Sequence, residues 1–319
     1  MNTTPTTSSA PATYTVVGGP GGKEAGDAGF SLILLNRGSS ISRADALSDF
    51  QGLRPGQIIS IENPGNTLAI ESLAAHFPRV RFILLKNPVS PGECVTIGMQ
   101  EAAHPLAAVF WSDMKVVSAG FPETALAALR ADPVLCAMPW FYSRENESMP
   151  ALQIPARDGK RLKVLSVLPA QEISPTLFPC DYCGIYSREK FLALGGYDAA
   201  IREPWWQKAD FGFRALLWGE KIAAYRLLRV GASESAPVED TGAGPGSRAF
   251  FLKNLAVRLG PDGGFLPRSA FFSFLLHSGC GLFTALAEFR SARRWVACNS
   301  SRFIHDPGAV MENWGDSPA

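Results

Sequence analysis

The feature that most constrains this chain is a recurrence of short apolar runs that each end in polar residues. Residues 30–35 run into Asn36-Arg37-Gly38, residues 57–61 into Glu62-Asn63-Pro64-Gly65, and residues 107–111 into Ser112-Asp113. Residues 80–85 form a further run of the same kind. Runs this short, apolar at consecutive rather than alternate positions, fit strands buried on both faces. Between them, residues 41–50, 67–77 and 93–103 carry apolar side chains at helical spacing, with Ser42 placed to cap the first. Strands alternating with helices predict an α/β fold: a mostly parallel, Rossmann-like sheet with helices on both faces and right-handed crossovers. Ligands of such sheets bind at the carboxyl ends of the strands. Asn36, Arg37, Glu62, Asn63, Asp113 and Lys115 stand at or just beyond those ends.

Downstream the pattern loosens. Residues 121–130 read as helix and 134–142 as strand. Residues 144–179 are rich in proline and read as strands and loops. Gly195-Gly196 stops a short helix, residues 210–217 are helical, and 222–228 are strand-like. A Gly/Pro/acidic loop fills 232–246, and 248–259 and 271–294 form a helical, aromatic-rich tail. This divides the chain into a disordered leader and Gly-rich loop (1–28), an α/β domain (29–246) and a helical extension (247–319).

With 319 residues, 46% of them hydrophobic, the chain can bury one large core or a core with an appendage. A net charge of +1 argues against a bulk attraction to nucleic acid. Residues 1–12 lack the basic start and apolar core of a secretory signal, so a cytoplasmic location is expected. Cys180 and Cys183 form the closest cysteine pair, but no second pair or matching histidines complete a zinc site, and both read as packed thiols. Residues 269–287 carry no Asp, Glu, Lys or Arg. Their polar, Gly-containing middle suits buried helices, or a helix lying on a membrane surface, better than a span. The Gly18-Gly19-Pro20-Gly21-Gly22-Lys23 stretch has neither a preceding buried strand nor the spacing of a phosphate-binding loop.

Two segments resemble the family-2 inverting glycosyltransferases and the related galactosyltransferase carboxyl-terminal region. One is 30–116, with its strand-to-Asn-Arg opening, acidic second-strand end and fourth strand ending in Asp113. The other is 181–223. There Gly184, Arg188 and Phe191, then Gly195-Gly196-Tyr197-Asp198, then Asp210, Arg214, Gly219 and Ile222 follow the family's order and spacing. The resemblance implies a GT-A fold, a nucleotide-sugar donor and a glycan or lipid-linked acceptor. It implies that Glu62 and Asn63 hold the nucleoside and that Arg37 contacts ribose or phosphate. Asp113 would bind Mn²⁺ or Mg²⁺ that neutralises the diphosphate. It also implies hexosyltransferase chemistry and a place in glycan biosynthesis.

Three positions depart from the family pattern. The metal motif reads Asp113-Met114-Lys115, so a lysine stands at its second acidic position, where it can itself neutralise a phosphate. Gln207-Lys208 stands where the acidic pair carrying the general base belongs. The stretch 229–234 after the 222–228 strand carries no histidine at the family's metal-holding position, although Glu239-Asp240 downstream could supply oxygen ligands. Asp210 is then the first candidate base, with Glu203 behind it, and Asp210 is equally placed to pair with Arg214 one helical turn on. Trp205 and Trp206 suit either a sugar-stacking acceptor site or an aromatic core pair. The tail at 248–255 resembles the aromatic and basic helix of lipid-acceptor members, which implies peripheral contact with the inner membrane face. Two functions stay open: a nucleotide-sugar glycosyltransferase, or an inactive glycosyltransferase-like module that binds glycan or a partner enzyme.

Overall fold

The computed structural model describes residues 12–19, 29–37, 42–65, 67–117, 123–131, 133–158, 161–232, 239–312 and 314. Its first strands are β1 (Tyr14–Val17), β2 (Ser31–Leu35), β3 (Gln57–Glu62), β4 (Val80–Leu85), β5 (Leu106–Trp111) and the short β6 (Met114–Val116). After them come β7 (Cys136–Tyr142), the hairpin β8 (Leu152–Asp158) and β9 (Arg161–Val167), β10 (Ile173–Pro175), β11 (Gly184–Ser187) and β12 (Ile222–Ala232). The main sheet has the order β1-β4-β3-β2-β5-β11-β7-β12-β10, with β6 added on β12. Its nucleus, β4-β3-β2-β5, is wholly parallel. β11 runs antiparallel between β5 and β7, and β12 is parallel to β7.

The apolar runs explain the nucleus. β2, β3 and β5 are buried at every position, so both sheet faces are covered. The crossovers are helical: α1 (Arg43–Gln51), α2 (Thr67–His76) and α3 (Pro91–Glu101). α3 starts sharply because Ser90 and Glu93 form a reciprocal capping box and Pro91 takes the first turn. It lies close on the sheet: a Cβ at Gly98 would come within 2.6 Å of Ile33 Cγ2.

One expectation needs correction here. Residues 1–28 were read as a leader and loop, yet β1 extends the sheet by pairing antiparallel with β4. Tyr14 Oη donates to Glu101 Oε1 at 2.8 Å, which ties β1 to the end of α3. Residues 1–11 and 20–28 lie outside the described residues.

Helices α4 (Glu123–Ala131), α5 (Arg188–Leu194) and α6 (Pro204–Leu217) follow. α6 is buried all round and divides two cores. Phe211 and Ala215 face the sheet core, whereas Ala209, Phe213 and Leu217 face a second apolar cluster. α7 (Pro245–Phe250), a π-helical turn at Phe251–Leu255, α8 (Ala270–His277) and α9 (Leu282–Cys298) build that second cluster. Phe250, Phe274, Phe289 and Trp295 fill it. The helical tail therefore shares its core with α6. No helix among the described residues is long and apolar enough to cross a membrane.

Candidate functional site

The sheet order reverses between β2 and β5. From β2 the chain builds outward through β3 and β4, whereas β5 starts the other half. A crevice forms beyond the carboxyl ends at such a switch point. Leu35 pairs with Trp111 at the ends of the two strands, and Ser112 N–H donates to Leu35 O at 2.9 Å. Asn36 and Arg37 leave β2 here, Glu62 and Asn63 end β3, and Asp113 leaves β5. The five residues thus share one edge of the parallel nucleus.

Arg37 organises the centre. Its Nε meets Asp113 Oδ2 at 3.0 Å and its Nη2 meets Asp113 Oδ1 at 3.2 Å, a bidentate fork. Its Nη1 donates to Asp181 Oδ2 at 2.6 Å. The guanidinium also lies over the Trp111 ring, 4.6 Å from the centroid. Burial opposes the charged guanidinium, but the bonds to Asp113 and Asp181 outweigh it and raise its pKa above the ordinary arginine value. Burial pushes the Asp181 carboxyl up, against the pull of Arg37 and Lys208.

Asp181 was not singled out from the sequence. Its place depends on backbone that few residues adopt: Asp181 has φ 49° and Tyr182 φ 63°. Left-handed non-glycine residues cost about 1–3 kcal/mol each. Trp111 Nε1–H donates to Asp181 O at 2.9 Å and holds the turn. Cys180 and Cys183 beside it are free thiols, and burial raises Cys180 to about 12. The packed-thiol expectation matches this geometry.

A second set of groups lies at the end of β3. Glu62 is fully buried; its Oε1 accepts from Ser60 Oγ at 2.8 Å and pairs with Arg43. Asn36 Nδ2 donates to Ile61 O at 2.6 Å, and Asn63 Nδ2 to Asn36 O at 3.0 Å. Glu62 Oε2, Asn36 Oδ1 and Arg43 Nε and Nη1 are buried without a hydrogen-bond partner among the described residues. Arg43, on α1, is a further residue that the sequence reading missed.

The start of α6 forms the far wall. Gln207 is consumed by structure: Gly92 N–H and Tyr182 Oη donate to its Oε1, and its Nε2 donates to Ser90 Oγ, Asp198 O and Ile201 O. Lys208 is buried, with Nζ 2.8 and 2.7 Å from the two oxygens of Glu239 and above the Phe178 and Tyr182 rings. Lys208 and Glu239 both act on the charge of Asp181, so the pair borders the Arg37 centre.

Four candidates sit elsewhere. Asp210 is buried and both oxygens are engaged, Oδ2 by Arg214 and Oδ1 by Asn254, each at 2.9 Å. Arg214 in turn donates to Leu194 O and Gly196 O, so Asp210 fastens the Gly195-Gly196 turn to the π-helical turn. Buried and held on both oxygens, Asp210 takes the structural pairing with Arg214 that the sequence also allowed, and a substrate hydroxyl would have to displace Arg214 or Asn254 to reach it. Glu203 precedes α6 and accepts from Gly246 N–H at 3.0 Å, holding the loop that enters α7. Trp205 packs edge-on to Phe178, Trp206 tilts against Phe250, and Trp206 Nε1 donates to Gly242 O at 2.9 Å. Both rings are partly buried, packed on the second core and the loop above it.

Lys115 is exposed on β6. A metal at Asp113 does not fit this arrangement. Both carboxylate oxygens face the Arg37 fork, and no three His, Cys, Asp or Glu side chains converge among the described residues. A guanidinium occupies the point where Asp113 and Asp181 would otherwise share a cation.

No protein-family model matches the chain, and no curated protein matches it. Solved structures do. The crystal structure of GalNAc-T7 with UDP, GalNAc and Mn²⁺ aligns with a TM-score of 0.59 at 13% identity, over 90% of this chain and 57% of that one. The chain therefore spans little more than half of GalNAc-T7. Staphylococcus aureus TarS 1–349 in complex with UDP-GlcNAc aligns at TM-score 0.48 and 13% identity, over 90% and 92% of the two chains. At this identity the likeness concerns fold, and with the parallel nucleus, its switch point and the inserted antiparallel strand it leads to one conclusion: the chain has the GT-A fold of glycosyltransferases.

Proposed function

We propose that the chain binds a nucleotide sugar at the switch point and transfers the sugar, with inversion, to a glycan or lipid-linked acceptor. One observation carries the reading: the unpartnered Glu62 Oε2, Asn36 Oδ1 and Arg43 nitrogens at the end of β3. Buried polar atoms without partners are costly, and a nucleobase edge offers the donors and acceptors that would satisfy them. Glu62, Asn63, Asn36 and Arg43 then take the nucleoside, with Arg37 and Lys115 on the diphosphate side. Glu239, held by Lys208 beside the position where the family carries its acidic pair, becomes the carboxylate that accepts the acceptor's proton. A cytoplasmic setting belongs to the same proposal.

GalNAc-T7 was solved with UDP, so UDP-sugars are the first donors to test. Calorimetric titration with UDP-, GDP-, CDP- and dTDP-sugars, with Mn²⁺ or with chelator, followed by transfer assays, decides the reading. Failure of every donor to bind rejects it. A second reading has its own support. Lys208 replaces an acid and closes on Glu239, as expected of an inactive module that keeps only the binding half. Donor binding with no turnover on any acceptor would favour that module.

A further inference from the structure

The second core leaves one end of the molecule uncovered. α8 buries Phe274 and packs Phe271 edge-on to Phe289 of α9, at 5.3 Å between centroids. Its other face turns to solvent, with Phe272 at 70% and Leu276 at 81% exposure. The turn into α9 adds Leu282 at 53% and Phe283 at 87%. Large apolar side chains this exposed and this close together mark an interaction surface.

The charges around the tip indicate what it meets. Between Arg268 and Arg294 the only acid is Glu288, and Arg248 binds both of its oxygens. Arg268, Arg290, Arg293 and Arg294 are exposed and have no ion-pair partner among the described residues. The net charge of the whole chain is only +1, so this is a local concentration. On α9, Ala287, Arg290 and Arg294 lie within about 40° of Phe283 around the helix axis, at about 100° per residue. Arg290 and Arg294 follow Phe283 by about 10 and 16 Å along that axis, at about 1.5 Å per residue. An amphipathic element seated in a bilayer interface buries its apolar side chains about 5–10 Å deep, with cations at the phosphate level. With the tip entering first, the spacing from Phe283 to Arg290, about 10 Å, falls at the upper end of that depth, and Arg294 stands one turn further back, where its long side chain reaches toward the surface.

We propose that the α8–α9 tip docks the protein on an anionic bilayer surface, Phe272, Leu276, Leu282 and Phe283 entering the interface while Arg290 and Arg294 meet lipid phosphates. This does not rest on the nucleotide-sugar reading, because the tip lies outside the strand-end site and can be tested without a donor.

The test is co-sedimentation of the full chain with vesicles of phosphatidylcholine alone and with added phosphatidylserine. The expected result is binding to the anionic vesicles that weakens with salt, and little to the neutral ones. R290A/R294A should bind about thirtyfold more weakly, from about 1 kcal/mol per basic residue near the surface. F283D and L276D should each abolish sedimentation while keeping the wild-type circular dichroism and melting temperature, because both side chains are exposed. Equal binding to both vesicle types, or binding unchanged in all three variants, overturns the proposal. So does a concentration-dependent dimer in sedimentation velocity that F283D dissolves, since a second copy would then be the occupant.

Discussion

Arg37 and Asp113 meet through two parallel hydrogen bonds at the switch point, and the same guanidinium reaches Asp181 from its third nitrogen. One cation from the β2 half of the sheet thus binds two carboxylates of the other half, Asp113 after β5 and Asp181 before β11. Arg37→Ala should lower stability by about 2–3 kcal/mol in urea unfolding, toward the low end for a broken buried pair because Arg37 is partly exposed. It should also create what the wild type lacks. With the guanidinium gone, Asp113 and Asp181 can share a divalent ion, so Mn²⁺ should raise the melting temperature of the variant and leave the wild type unchanged. Saturation at a hundredfold excess over Kd would add about 2.7 kcal/mol. A wild type that Mn²⁺ stabilises as strongly as the variant refutes the guanidinium as the resident cation.

The buried pair of Asp198 and Lys253 sets an acid limit on stability. Burial works against the Asp198 carboxylate, but Lys253 and the Ala200 N–H hold its pKa below the ordinary 3.8. A depressed folded pKa contributes stability that is present above the unfolded value and lost as pH falls through the folded one. The wild type should therefore lose stability as pH drops below about 4, the ordinary carboxylate range. Asp198→Asn should start lower and show a flatter acid limb, as read from urea midpoints between about pH 3 and 7. Parallel curves for the two proteins would remove Asp198 as a source of the slope.

What the sequence disclosed follows from range. β2, β3 and β5 were legible because each carries apolar residues at consecutive positions and is long enough for that pattern to show. β1 and β6 were not, since strands of four and three residues acquire meaning only from the neighbours they pair with. α6 was expected from residue 210, but it starts at Pro204, whose fixed φ suits a first helical turn; that signal was present and unused. Asp113 and Arg37 were both in view, but not their contact across 76 positions. Asp181 was missed, and Glu239 was in view only as an acid of a downstream loop, because a left-handed turn places the one and a contact with Lys208 the other, and neither leaves a periodic trace. The Asp210–Arg214 pair was legible as an i, i+4 contact, and here the structural reading describes it.

Glu62 should govern donor affinity, with a cost to folding as well, because Gln still accepts from Ser60 but no longer offsets the Arg43 charge. Its Oε2 is buried and unpartnered, and Gln keeps the volume while removing the charge. A hydrogen bond to a charged group contributes about 1.5–3 kcal/mol, so Glu62→Gln should weaken nucleotide binding about ten- to a hundredfold. Calorimetric titration of UDP against both proteins measures this. Unchanged affinity would detach the end of β3 from the nucleoside.

The base assignment separates the two functional readings. An inverting transfer needs a carboxylate within hydrogen-bond reach of the acceptor hydroxyl, or one water away. Asp210 could supply it only by giving up Arg214 or Asn254, which hold its two oxygens. Removing that carboxylate should act on stability instead: Asp210→Ala strands the buried Arg214 charge and should cost about 3–5 kcal/mol. Glu239 is different, because among the described residues its side chain bonds only to the flexible end of a lysine that can release one oxygen to a substrate. Glu239→Gln should cut turnover roughly a hundredfold or more while leaving donor affinity nearly intact, the pattern of a lost general base. Lys208→Met frees the carboxylate but removes its positioning, so it should lower turnover less than Glu239→Gln does. Turnover and donor binding measured side by side in the three variants resolve the matter. Full activity in Glu239→Gln would exclude Glu239 as the base, and a wild type that binds donor yet transfers to no acceptor would identify the Lys208–Glu239 pair as the closure of an inactive site.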